Sequence, residues 1–554
     1  MIRSLSCNRI MDWANEECHG WSLLFEPITI VDTLSNVHLI DSLLQYGCAL
    51  CKTFGTCANI FKVINRIIHR QCSTQVKATR RQTKKLKAQT APPPQLSEPL
   101  PQEFTPTFTI TEETIHQTDS ANYAQTYLKN KLRKAVTPLW KLPYKKQLEL
   151  KQLRNSKVLM KLTNSLIEQE AEIGLTETLD RTHRFGGLCC QLDTIKPSPV
   201  TEGYRNKSEL SVGVGADGNR KTVGLFIGEW KKKNIICLPS DPARNISQAH
   251  KNVEKAYQTF LLQSSLDVSL SFKDNGNWRG LVVRSNQEGD LMAIVSFTQS
   301  DLSETETEDA MLSLQDFFAY GEGKDCGLSS LYFQSSFRTR ATNEDAPFHL
   351  LLGKPHLHET LFDLQFRISP DAFFQVNTPA TEVLYSTVME LCDLGQDTTV
   401  LDLCCGTGTI GLVMADRVKE VVGVEVIQQA VEDARVNAEL NAISNATFVC
   451  GPVEEILPDI LPTLEGSGDL VVVANPARAG LHPRVIRIIR SSQSIRRLVY
   501  ISCKPDGTAA RNFTDLCCPP TTRLHGKPFT LTRAVPVDLF PDTYHCELAL
   551  LFER

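Results

Sequence analysis

The chain has 554 residues, 42% of them hydrophobic, enough to bury the cores of two or three domains. Its formal net charge of −4 excludes a globally basic chain, so an anionic partner would have to be held by local patches. No apolar run reaches the roughly 18 residues of a membrane span. Adjacent cysteines at Cys189-Cys190, Cys404-Cys405 and Cys517-Cys518 make poor disulfide partners, which points to a reducing compartment.

In chain order, Cys48, Cys51 and Cys57 come first. They offer one CxxC spacing with no second pair behind it, and Cys72 lies in a basic stretch, so no metal is expected. Residues 42–97 hold no Asp or Glu but many basic residues, among them Lys52, Arg66, Arg80, Arg81 and Lys87. An acid-free stretch of basic and hydroxyl residues resembles a mitochondrial transit segment, although Asp12, Glu16 and Glu17 interrupt the pattern at the start. Residues 1–90 are therefore read as a targeting segment leading to the mitochondrial matrix. The alternative is a disordered basic arm on a cytosolic protein. Residues 91–120, rich in Pro, Thr and Gln, read as a linker.

Residues 121–393 read as one domain with an N-terminal helix and a β-rich core. Leu148, Leu159, Leu162 and Leu166 give residues 144–170 near-helical spacing, and Lys145, Lys146, Lys151, Arg154, Lys157 and Lys161 could face phosphates or only solvent. Alternating strands are expected at 209–214, 221–228, 280–284 and 292–297. Ala216-Asp217-Gly218-Asn219 and Asp274-Asn275-Gly276-Asn277 supply hairpin turns. Basic residues interleaved with aromatics (Tyr204-Arg205-Asn206-Lys207, Trp230-Lys231-Lys232-Lys233, Trp278-Arg279) suit RNA backbone and unstacked bases.

From 394 to 554 the pattern turns to β–α–β. Strands are read at 399–403, Glu420–Glu425, Ala446–Cys450, Asp469–Ala474, 497–502 and 547–552, with helices from Thr409 and over 428–441. That alternation predicts an α/β doubly wound sheet. Asp402-Leu403-Cys404-Cys405-Gly406-Thr407-Gly408-Thr409-Ile410-Gly411 follows the first strand directly, and Glu425 ends the second. A glycine loop between strand and helix, with an acid able to take both ribose hydroxyls, fits NAD or S-adenosylmethionine equally well.

Cys503 stands at the exit of the strand that ends in Tyr500-Ile501-Ser502, where α/β proteins bind ligands. The donors of the turn Lys504-Pro505-Asp506-Gly507, and Lys504 itself, are expected to favour its thiolate, the nucleophilic form. Glu547 begins the last strand, behind Phe540-Pro541-Asp542-Thr543-Tyr544-His545-Cys546.

Four motifs fall in order: Ile368-Ser369-Pro370-Asp371-Ala372-Phe373-Phe374-Gln375-Val376-Asn377, Asn475-Pro476-Ala477-Arg478, Ser502-Cys503-Lys504-Pro505 and the segment ending at Glu547. Together with the glycine loop they resemble the RNA uracil-5-methyltransferase family over 144–554. The resemblance implies a class I S-adenosylmethionine-dependent methyltransferase, with a Rossmann-like doubly wound sheet, preceded by a β-rich α+β RNA-binding domain. It assigns Cys503 as nucleophile and Glu547 as general base. It places Gln375, Cys405, Thr409, Glu425 and Asn475 at the cofactor and Phe373 near the target base.

The implied reaction is 5-methyluridine formation in RNA. The expected substrate is the T-loop uridine (U54) of mitochondrial tRNA, with mitochondrial small-subunit rRNA as a further target, and the chain is expected to act as a monomer without membrane or metal. Carbon 5 of uracil is a weak nucleophile, so the chemistry needs a thiolate adding to C6, a methyl donor, and a base to remove the C5 proton. Asn475 stands where the family usually has Asp, and Lys504 where it usually has Asn. These departures keep open a catalytically weak or inactive RNA-binding or folding homologue, while an NAD oxidoreductase would leave the C-terminal motifs unexplained.

Overall fold

The computed structural model describes residues 120–229, 234–270, 276–299, 302–336, 346–464 and 468–554. The CxxC cysteines with Cys72, the basic segment, residues 91–119, Trp230-Lys231-Lys232-Lys233 and Asp274-Asn275 lie outside the described residues.

Three helices come first: α1 (Ser120–Val136), α2 (Tyr144–Ala171) and α3 (Glu177–Arg184), followed by the short strand β1 (Gln191–Leu192). A seven-stranded sheet is then built from β2 (Lys207–Gly213), β3 (Thr222–Ile227), β4 (Ile236–Leu238), β5 (Trp278–Ser285), β6 (Leu291–Thr298), β7 (Ser330–Ser336) and β8 (Phe348–Gly353), in the order β4-β3-β2-β5-β6-β7-β8. The turn between β2 and β3 is the expected one, closed by Asn219 and Gly218, the latter at φ 83° where glycine is favoured. Helices α4 (Gln248–Gln263) and α5 (Glu304–Ala319) cover one face of this sheet. α5 starts in a capping box, with Ser303 and Glu306 satisfying each other's backbone N–H groups.

The hairpin β9 (Leu357–Leu361) and β10 (Leu364–Ile368) leads to α6 (Thr378–Cys392), whose N-cap is Asn377. The rest alternates: β11 (Thr398–Leu403), α7 (Thr409–Met414), β12 (Glu420–Glu425), α8 (Gln428–Leu440), β13 (Ala446–Cys450), α9 (Val453–Leu464), β14 (Asp469–Ala474), α10 (Pro483–Ser491), β15 (Ile495–Ser502) and α11 (Ala510–Cys517). Two long strands, β16 (Thr530–Val537) and β17 (Glu547–Glu553), close the chain. The sheet order is β1-β16-β17-β15-β14-β11-β12-β13, parallel except where β17 runs antiparallel to both neighbours.

The central strands are largely apolar because both faces are covered. Side chains alternate, so Val400, Val421, Val471, Val473, Val499 and Ile501 join one core, and Leu401, Leu403, Val422, Val472, Leu498 and Tyr500 the other. Leu159, Leu162 and Leu166 of α2 belong to that second core. The helix grouped by chain order with the β-rich region thus packs on the C-terminal sheet.

Two expectations about the basic and aromatic residues are corrected by burial. Lys151 faces no phosphate: it is fully buried in an ion pair with Asp538 at 2.6 Å. Trp278 and Tyr204 offer no stacking surface. Trp278 sits in a T-shaped aromatic cluster with Phe260, Phe297 and Phe333, and the Tyr204 hydroxyl donates to the Pro541 carbonyl at 3.0 Å.

Candidate active site

β15 and β17 are antiparallel neighbours, paired at Ser502↔Leu548. The next step along one strand and back along the other is Cys503 and Glu547. Residues 44 apart in sequence are therefore set across one strand gap, at the sheet end reached by the glycine loop. Cys503 is half-buried and lines a cleft of about 630 Å³ with Phe373, Arg478, Lys504, His545, Arg205 and Lys207 among its walls.

Burial pushes the Glu547 carboxyl up to about 8, against a downward pull from the Arg478 guanidinium. Burial also raises the Cys503 thiol, helped by the Glu547 charge and opposed by the Arg478 guanidinium, which lines the same cleft. The cation that favours the thiolate is thus Arg478. Lys504, expected to favour the thiolate, lines the cleft but is not among the charges acting on the sulfur, which are Arg478 and Glu547.

Arg478 belongs to the Asn475–Arg478 motif, but the sequence does not show its target, because its reach depends on a loop clamp. Asn512 accepts from the Leu481 N–H at 2.8 Å and donates to the Leu481 carbonyl at 3.0 Å, and Tyr500 Oη donates to Asn512 at 2.9 Å. Gly480 (φ 82°) lies beneath Asn512, and a Cβ there would come within 2.4 Å of the amide oxygen. The loop after β14 is thereby fixed to the strand that leads into Cys503.

The cofactor side gathers at the ends of β11, β12 and β14. Glu425 accepts from Gly406 N–H at 3.0 Å with one oxygen, and from Val426 and Ile427 N–H at 2.8 and 3.0 Å with the other. A carboxylate held by three backbone donors is preorganised and, of its four lone-pair sites, keeps one on Oε2 for a ribose hydroxyl. The exposed Val426 and Ile427 side chains beside it offer an apolar face suited to adenine.

Asn475, half-buried, donates its backbone N–H to Leu403 at 3.3 Å, which sets it beside the loop. Cys405 and Thr409 are buried; Thr409 Oγ1 bonds Tyr385 Oη at 2.9 Å, and the Cys405 sulfur packs against Gly423. Beneath them Asp402, fully buried and raised to about 7 by desolvation, accepts from Gly411 N–H while its other oxygen has no hydrogen-bond partner. Gln375 is buried, with its carbonyl accepting from Asn206 at 2.8 Å, whereas Phe373 is 67% exposed and stands in the cleft.

Glu425 and the apolar face beside it fit the ribose and base of a nucleoside. A sequence profile described as tRNA (Uracil-5-)-methyltransferase matches residues 349–554. The mouse (Mus musculus) tRNA (uracil-5-)-methyltransferase homolog B is 48% identical over 76% of this chain and 86% of its own length. The chain belongs to the tRNA (uracil-5-)-methyltransferase family. The human (Homo sapiens) homolog B is 47% identical over 76% of this chain and 84% of its own, and mouse homolog A 44% identical over 76% and 68%.

The crystal structure of Pyrococcus abyssi tRNA (uracil-54, C5)-methyltransferase in complex with S-adenosyl-L-homocysteine shares the fold, at TM-score 0.52 and 23% identity over 75% of this chain and 84% of that one. The fold is that of a class I methyltransferase, and the family's methyl donor is S-adenosylmethionine. Replacing Glu425 by Ala removes charge-assisted hydrogen bonds worth about 1.5–3 kcal/mol, so cofactor affinity measured by calorimetry should fall about tenfold or more. Unchanged affinity would put the ribose elsewhere.

Proposed function

We propose that this protein methylates C5 of uridine in tRNA, with the T-loop uridine of mitochondrial tRNA as its main substrate and mitochondrial small-subunit rRNA as a further target. The observation that carries the reading is the Cys503–Glu547 pair set across β15 and β17, with Arg478 acting on both. An inactive RNA-binding homologue has no need of a buried carboxyl raised to about 8 beside a thiol at a cleft.

Glu425, Asn475 and the backbone of the Cys405–Thr409 loop would hold S-adenosylmethionine, which supplies an electrophilic methyl group. The Thr409 hydroxyl and the Cys405 sulfur are occupied inside the fold, so these two residues act through their main chain. A target base must leave its stack to enter the cleft, where Phe373 is free to pack on it. Arg478 stabilises the Cys503 thiolate for attack on C6. The sulfur–C6 bond forms as the C5–C6 π pair moves toward O4, which makes C5 nucleophilic. After methylation Glu547 takes the C5 proton, the C5–C6 double bond returns, and the sulfur leaves as thiolate.

Mapping 5-methyluridine in RNA from cells lacking the protein, then restoring it with recombinant protein and tRNA, tests the reading; unmodified tRNA after incubation would sink it. The mitochondrial assignment rests on the acid-free basic stretch of residues 42–97. A reporter fused to residues 1–95 is expected in mitochondria, and a cytosolic or nuclear signal would overturn it.

A further inference from the structure

Between β16 and β17 lies the segment Asp538 to Cys546, which delivers Glu547 to the site without forming helix or strand. Something other than a ladder must fix its path. The segment's carbonyls at Leu539, Pro541 and Asp542 accept from Asn377, Tyr204 and the Leu139 N–H. Its side chains at Asp538, Asp542 and Cys546 are met by one stripe of α2, Gln147, Lys151 and Asn155, four residues apart and therefore on one helix face, each almost fully buried.

Gln147 makes a reciprocal pair with Asp542: its amide oxygen accepts from the Asp542 N–H at 2.8 Å, and its amide nitrogen donates to Asp542 Oδ1 at 2.7 Å. Asp542 is held there at φ 65°, a conformation that a non-glycine residue rarely adopts. Lys151 donates to Asp538 Oδ1 at 2.6 Å and to the Phe540 carbonyl at 2.9 Å. Asn155 donates to the sulfur of Cys546, the residue before Glu547, at 3.6 Å. Tyr144, one turn earlier, donates to Asp538 Oδ2 at 3.0 Å. The nucleophile is anchored separately, by the Tyr500–Asn512 clamp on the Arg478 loop.

We propose that Gln147 and Lys151 are positioning residues for the general base, so that helix α2 sets the rate of C5 proton removal without setting the rate of methyl transfer. The proposal rests on the reaction assigned above. A buried carboxylate acts as base only when aimed at the proton, and its aim is inherited from the segment before it. If the segment shifts, addition and methylation proceed, and the sulfur–C6 bond then waits for a proton transfer that is misaligned.

The test is Gln147→Leu, which keeps the size of the side chain and removes both hydrogen bonds to Asp542. Single-turnover methyl incorporation into tRNA should stay within about twofold of wild type, because Cys503 and the cofactor loop are untouched. Steady-state turnover should fall by about 10- to 100-fold, the usual effect of misplacing a catalytic group by about an ångström. A denaturation-resistant protein–tRNA adduct carrying the new methyl group should accumulate.

Equal loss in both rates without adduct would show that the helix supports the whole site, and would overturn the proposal. Unchanged turnover would overturn it as well. Should Gln147→Leu fail to fold, Asp542→Gly answers the same question: glycine accepts φ 65° and keeps the backbone N–H, while the bond from the Gln147 amide nitrogen is lost together with the longer ion pair to Arg244 at 3.7 Å, for which Arg244→Gln is the control. Smaller adduct accumulation of the same kind is expected there, and none would count against the proposal. Wild-type protein that forms neither adduct nor 5-methyluridine would instead remove the assigned reaction itself.

Discussion

Cys503→Ala should abolish 5-methyluridine formation, a fall of at least about a thousandfold, since without a thiolate at C6 the C5 atom has no electrons to offer the methyl group. Glu547→Gln should behave differently. Its amide cannot take the C5 proton, so addition and methylation go forward and the product stays bonded to Cys503. The two variants therefore separate by the covalent adduct, which is absent in the first and accumulated in the second on an ordinary substrate.

Substrate carrying 5-fluorouridine gives the same distinction in wild-type protein. After methylation C5 bears fluorine where a proton should be, so Glu547 finds nothing to remove and the thiolate cannot be expelled. The adduct should resist denaturing gel electrophoresis, require S-adenosylmethionine, and be missing in Cys503→Ala. Full methylation by Cys503→Ala would show that another atom attacks C6, and the departures at Asn475 and Lys504 would then have to be reread as parts of a different chemistry.

Most of the sheet was legible because its strands are buried on both faces. Runs such as Val471-Val472-Val473 cannot be mistaken for an amphipathic surface, and Glu420–Glu425, Ala446–Cys450 and Asp469–Ala474 fall where the apolar pattern put them. β16 was missed, since Thr530 to Val537 carries Arg533 and Pro536 and breaks the pattern; Arg533 leaves the sheet to pair with Asp193 and Glu390. Cys503 and Glu547 stand out in the sequence through their motifs, and the strand register sets these two residues, so far apart in the chain, side by side.

What the sequence could not show was the set of long-range polar contacts. Lys151 reads as one more surface lysine, because its partner Asp538 lies 387 residues away. Trp278 and Tyr204 read as stacking aromatics, because burial of a ring depends on the cluster around it. Arg478 reads as a motif residue without a stated target until Gly480 and Asn512 close the loop against β15.

The pH dependence should separate activity from stability at a single residue. With the Glu547 carboxyl raised to about 8, turnover limited by proton removal should climb about tenfold per pH unit below that value and level off above it. Stability moves the other way. A buried acid whose pKa is higher in the folded than in the unfolded chain keeps more protons when folded, so its contribution is full below about 4.3, falls as pH rises, and is gone above about 8. At pH 9 the folded protein carries a buried carboxylate that Glu547→Gln does not, so the variant should be the more stable there, by on the order of 5 kcal/mol by linkage. At pH 5 the difference should shrink to about 1 kcal/mol.

The same substitution removes the negative charge that helps raise the Cys503 thiol, so single-turnover methyl transfer in Glu547→Gln should reach half its maximum at a lower pH than in wild type. Thermal unfolding at pH 5 and 9, set beside single-turnover profiles of both proteins, measures all three effects. Equal stability at pH 9, or a profile that Glu547→Gln leaves unmoved, would mean that the carboxyl is ionised at ordinary pH and lies too far from Cys503 to act with it.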